Sequence, residues 1–104
     1  MAKKKSSSDD AGGGRLSNPT ISRRLERLPG WMGKDRRKAI HRTYTFPTFR
    51  ASLAFVTYVG EVAESLDHHP DIDIRFNKVT LTISTHSAGG LTEKDFQLAG
   101  VVDQ

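Results

Sequence analysis

Asp71–Ile83 reads DIDIRFNKVTLTI, and its alternation decides the fold. Ile72, Ile74 and Phe76 share one face of an extended segment, and Val79, Leu81 and Ile83 share the inner face of the next. That period of two is the pattern of half-buried strands. Asn77-Lys78 between the segments suits a tight hairpin turn. Upstream, Thr48 is a candidate N-cap for a long helix. Its apolar stripe runs through Phe49, Leu53, Val56, Val59, Ala63 and Leu66, and it should stop before His68-His69-Pro70, because proline disfavours helical backbone in the residue ahead of it. Downstream, Ala88-Gly89-Gly90 is a loop. Thr92 to Asp95 resembles a capping box opening a last helix, with Phe96, Ala99 and Val102 facing inward.

Further out, Ser17-Asn18-Pro19 offers cap chemistry to a first helix carrying Ile21, Leu25 and Leu28, which Pro29-Gly30 ends. Ile40, Tyr44 and Phe46 alternate as a strand, with Arg42 the odd member of that face, and a short extra strand is expected near Trp31. The order helix, strand, helix, hairpin, helix predicts an α+β domain. Its antiparallel sheet has about four strands, with three helices packed on one face. Residues 1–15, MAKKKSSSDDAGGGR, lack any large apolar side chain beyond Met1. They cannot offset their ordering entropy and read as a disordered tail ahead of a domain over residues 16–104.

The 104 residues carry a formal net charge of +4 and no cysteine. Disulfide frameworks and Cys-based zinc sites are therefore excluded. No apolar run approaches the roughly 20 residues that span a bilayer, and no secretory signal opens the chain, so a cytoplasmic protein with no membrane partner is expected. The charge is divided: residues 1–50 sum to +9 and residues 51–104 to −5. Such asymmetry suits an acidic partner, a self-complementary oligomer or a merely solvated basic face. No nucleic-acid-binding motif accompanies it, so nucleic acid is not expected as a partner.

His68, His69 and His86 lie in the acidic half. Imidazole titrates near pH 6.5 and exchanges protons near neutrality. His86 falls at a strand end, on the face of Thr80, Thr82 and Ser84, opposite the core. An adjacent His pair before proline is equally well read as a polar helix terminus. Three histidines could also suit zinc, but adjacent residues of an extended chain point apart and no HExxH pattern occurs, so no metal is expected.

Glu64, His68-His69-Pro70, Phe76, His86 and Asp95 keep the intervals of one family. With Phe76-Asn77-Lys78-Val79, Thr85-His86 and Gly90-Leu91-Thr92 around them, the chain from Leu16 to Gln104 resembles the pterin-4a-carbinolamine dehydratases. The resemblance implies dehydration of 4a-hydroxytetrahydrobiopterin to the quinonoid dihydropterin, a hydro-lyase reaction of pterin recycling that needs no cofactor. It implies His68, His69 and His86 as catalytic residues. His68 and His86 would serve the departing hydroxyl, and His69 the ring. It also places Glu64, Pro70, Phe76 and Asp95 beside the substrate.

Each of these supporting residues has a structural alternative. Glu64, one turn before His68, could orient that imidazole or simply face water. Pro70 fixes the backbone, Phe76 could pack in the core, Asp95 is a cap first, and Trp31 could line the site or plug the core. Many family members have a Trp after His-His-Pro and a Tyr before the Asn, where this chain has Ile72, Ile74 and Phe76, which implies altered pterin affinity. The family further implies a homodimer or homotetramer and protein partners. These are a hydroxylase, a transcription factor that the protein coactivates, or Rubisco, for which non-catalytic relatives act as assembly factors.

Overall fold

A computed structural model describes residues 14–104; of the expected tail, residues 1–13 lie outside the described residues. Helix α1 (Asn18–Glu26) starts because Ser17 caps it, its hydroxyl accepting from the Thr20 amide at 3.4 Å, with proline in its first turn. It buries Ile21. After Pro29-Gly30 the chain forms β1 (Met32–Lys34) and β2 (Ala39–Thr45), paired antiparallel. Gly30 is required as glycine: its φ is +95°, and a Cβ would meet the Arg42 guanidinium at 2.7 Å.

Helix α2 (Phe49–Leu66) is capped by Thr48, whose hydroxyl accepts from the Ala51 amide at 3.0 Å. It ends at Asp67, which takes the left-handed conformation at φ 52°. Its buried face carries Ser52, Val59, Val62 and Ala63. The expected stripe is thus corrected at one end: Phe49 and Leu53 are both 46% exposed, because the stripe that meets the sheet is rotated toward Ser52 and Val62.

The hairpin β3 (Asp71–Arg75) and β4 (Lys78–Ile83) follows, in register Ile72 with Leu81 and Ile74 with Val79. Its turn is Phe76-Asn77 rather than Asn77-Lys78. Phe76 adopts φ 53° and is 70% exposed, so it does not continue the face of Ile72 and Ile74. Asn77 explains the shift: its side-chain amide donates to the Phe46 carbonyl at 2.9 Å, and its own carbonyl accepts from the Phe46 amide at 2.9 Å. A short 3-10 turn (His86–Ala88) lies between Thr85 and Gly90, which bridge each other. Helix α3 (Glu93–Val102) completes the fold, with the expected Thr92–Asp95 capping box in place.

The sheet runs β1-β2-β4-β3, all neighbours antiparallel. Val79, Leu81 and Ile83 are fully buried on its inner face. They share one core with Ile21 of α1, Val59 and Val62 of α2, and Phe96, Leu98, Ala99 and Val102 of α3. This is an α+β domain. None of its described helices is long and apolar enough to cross a membrane.

Asp103, just past α3, accepts from Trp31 Nε1 at 2.7 Å, Arg42 Nη1 at 2.9 Å and the Tyr44 hydroxyl at 2.5 Å. Burial pushes the Tyr44 hydroxyl well above its ordinary pKa, and the Asp103 carboxylate adds to the shift. In the β1–β2 turn, Asp35, Arg36 and Arg37 are all left-handed, at φ 53°, 57° and 64°.

Candidate active site

The antiparallel hairpin carries the end of β4 back beside the chain entering β3, which brings residues 67–71 and 84–87 together. Between them lies a cavity of about 330 Å³ lined by Asp67, His68, His69, Asp71, Ser84, Thr85, His86, Ser87 and Lys94. Three of the four histidines therefore face one space. The family resemblance pointed to the imidazoles but not to Asp67, Asp71, Ser84, Ser87 or Lys94. Such residues are common at any polar surface, and only the register of the hairpin collects them.

His68 is the most firmly held of the three. Its Nε2 meets Asp95 Oδ1 at 2.6 Å, and its side chain is 12% exposed. Asp95 is fully buried. Its second oxygen accepts from the Thr92 amide and the Thr85 hydroxyl, both at 2.8 Å. One carboxylate thus caps α3 and orients an imidazole, which leaves His68 Nδ1 as the nitrogen without a protein partner among the described residues.

His69 Nε2 meets Glu64 Oε2 at 2.5 Å in an exposed pair. Of the two readings weighed for Glu64, neither holds unchanged: the carboxylate is exposed, and the imidazole it meets is His69 and not His68. His86 opens the 3-10 turn three residues beyond the end of β4, is exposed, and makes no side-chain hydrogen bond to described residues.

Three further residues singled out by sequence do not line the cavity. Pro70 links His69 to Asp71 without lining the cavity. Phe76 sits at the far end of β3, five residues from Asp71 and on the order of 16 Å along an extended strand. Trp31 is buried at 4% exposure and held by Asp103, so in this chain it is a core residue. Among the described residues no three of His, Asp and Glu are grouped as ligands for a metal ion.

What this arrangement can do chemically is move protons. One imidazole is fixed by a buried carboxylate, a second is paired at the surface, and a third is free, all around a polar space open to a small solute.

The sequence pattern of the family described as Pterin 4 alpha carbinolamine dehydratase matches residues 14–104. A protein of Chloroflexus aurantiacus, provisionally named a pterin-4-alpha-carbinolamine dehydratase, is 49% identical over 90 residues, covering 86% of this chain and 95% of its own. A Thermomicrobium roseum protein with the same provisional name is 49% identical over 85 residues, covering 82% and 89%. The crystal structure of a transcriptional coactivator/pterin dehydratase from Brucella melitensis superposes with a TM-score of 0.82 at 36% identity, covering 86% of this chain and 96% of that one. A pterin dehydratase-like protein identified as a RuBisCO assembly factor of the alpha-carboxysome shares the fold, with a TM-score of 0.61 at 20% identity over 71% and 86% of the two chains. With its whole domain matched and close relatives nearly coextensive with it, this chain belongs to the pterin 4 alpha carbinolamine dehydratase family.

Proposed function

We propose that the protein is a 4a-hydroxytetrahydropterin dehydratase working by histidine acid–base catalysis. The observation that carries this reading is the meeting of His68, His69 and His86 in one cavity, with His68 fixed by the buried Asp95. Dehydration breaks the C4a–O bond, whose electron pair leaves with the oxygen. A ring nitrogen gives up its proton, and the electrons of that N–H bond form the new C=N bond. The oxygen takes up one proton and departs as water, so no net proton is consumed.

The chain's own task is therefore to supply a proton on one side and accept one on the other, each worth roughly 10²- to 10⁴-fold in rate. His68, held in one orientation, is the acid for the hydroxyl, with His86 beside it as hydrogen-bond partner. His69, braced by Glu64, takes the ring proton. Asp95 acts through His68 as a positioning residue. Pro70 supports the pair through the backbone. Phe76, remote from the cavity within one chain, would meet substrate only across an assembly. The physiological role is recycling of tetrahydrobiopterin or a related pterin in the cytoplasm, with a pterin-dependent hydroxylase upstream.

The test is dehydration of chemically generated 4a-hydroxytetrahydropterin, followed by absorbance, with chelator present. Turnover well above the buffer-catalysed rate is expected. Losses of at least about 10²-fold are expected in folded His68→Ala and His69→Ala, and a smaller loss in His86→Ala. A folded wild type no faster than buffer would overturn the enzyme reading.

One observation favours a second reading, that of a partner protein. Phe49, Leu53 and Tyr58 of α2 are 41–46% exposed, an apolar surface suited to a homodimer or homotetramer or to docking on another protein. An inactive but folded wild type would bring that role forward, as a coactivator or a Rubisco assembly factor.

A further inference from the structure

The histidine cavity does not end at His86. A second cavity of about 330 Å³ shares Ser84, Thr85 and His86 with it and extends to Lys38 and Gly90. A third, of about 290 Å³, shares Lys38 and Gly90 with the second and is walled by Arg15, Arg36 and Arg37. The sheet explains the alignment. Ile40 of β2 pairs with Ile83 of β4, so the residues just before Ile40 run beside those just after Ile83. The β1–β2 turn is thereby delivered against the His86 loop.

Along this line the charge changes sign. The histidine end carries Asp67 and Asp71 with one cation, Lys94, and the far end carries Arg15, Arg36, Arg37 and Lys38. None of these four cations is ion-paired among the described residues. Arg37 is held in place, its guanidinium donating to the Ser22 hydroxyl at 2.8 Å and the Asn18 carbonyl at 3.3 Å. Arg15 lies across Gly90, where a Cβ would meet it at 2.7 Å. Asp35 is the carboxylate on the middle section. Four cations against that single carboxylate, none of them ion-paired among the described residues, are an electrostatic provision for an anion.

We infer that the trough takes a reduced pterin whose side chain ends in an anion, a carboxylate or a phosphate. The ring sits among the histidines and the anionic end reaches past His86 to Lys38 and Arg36. This inference rests on the reading of the histidine cavity as a pterin site and adds the substrate class.

Equilibrium binding to the full chain tests it, using three stable probes. These are neutral 7,8-dihydrobiopterin, 7,8-dihydrofolate with its carboxylates, and 7,8-dihydroneopterin monophosphate. At low salt at least one anionic probe is expected to bind about tenfold tighter than the neutral one, as one charge-assisted hydrogen bond would give. Which one does so tells carboxylate from phosphate. The preference should shrink at high salt, and in Arg36→Gln/Lys38→Gln it should fall to about one. Should the double variant fail to fold by circular dichroism, Lys38→Gln alone carries the comparison.

An affinity ratio near one in the wild type, or a preference surviving in the folded variant, overturns the inference. The two readings fail separately. Dehydration of a neutral carbinolamine without anion preference sinks only this inference, whereas anion preference without dehydration sinks only the enzyme.

Discussion

At the scale of single residues, Asp95 is the side chain on which most depends. Its two oxygens serve α3 and His68 at once. In Asp95→Asn the amide oxygen can still accept from the Thr92 amide. The NH2 group then faces His68 Nε2, where it donates and forces the ring proton onto Nδ1. Expected are a folded protein weaker by about 1–3 kcal/mol in urea titration and turnover down by about 10²- to 10⁴-fold, the cost of an imidazole held in the wrong tautomer. Glu64→Gln should lose less than about fivefold, since its pair with His69 is exposed and screened; equal losses would refute the ranking. The histidines themselves were legible in the sequence, but their partners were not. Helical spacing joins Glu64 to His68 only if the helix continues. The left-handed Asp67 breaks that phase, so Glu64 meets His69 instead.

At the scale of elements, legibility followed how much of each signal was local. The capping box of α3 and the alternation of β4 lie within a few residues of chain, and both were readable. The rotation of α2 was not, because Phe49 and Leu53 are as apolar as the residues that do face the sheet, and only packing chooses between them. Strand β1, the short strand expected near Trp31, is three exposed residues long, so its position could be read but not an inner face. The β1–β2 turn was opaque, since left-handed backbone ordinarily announces itself by Gly or Asn and here falls on Asp35, Arg36 and Arg37. Each such residue costs on the order of 1 kcal/mol. Arg36→Gly is therefore expected to stabilise the protein by about 0.5–1 kcal/mol after glycine's greater unfolded-state entropy is counted. A lower Tm in thermal unfolding would contradict this.

At the scale of the whole molecule, Asp103 fastens the end of α3 to Trp31, Arg42 and Tyr44, which lie 59 to 72 positions away in the chain. The raised Tyr44 pKa gives this clamp a pH signature. The folded protein keeps the phenol proton over a range where the unfolded chain has lost it, so the contribution is complete below about pH 10 and declines as pH rises beyond it. Urea midpoints measured at stepped alkaline pH should fall in the wild type and fall less steeply in Tyr44→Phe; parallel declines would show that the clamp is not the cause. The left-handed turn has a bearing of another kind. The change that would harden the fold, glycine at position 36, also deletes one of the cations at the far end of the trough. Selection for heat tolerance and selection for substrate discrimination would then pull the same codon in opposite directions, and a lineage could improve one only by surrendering some of the other.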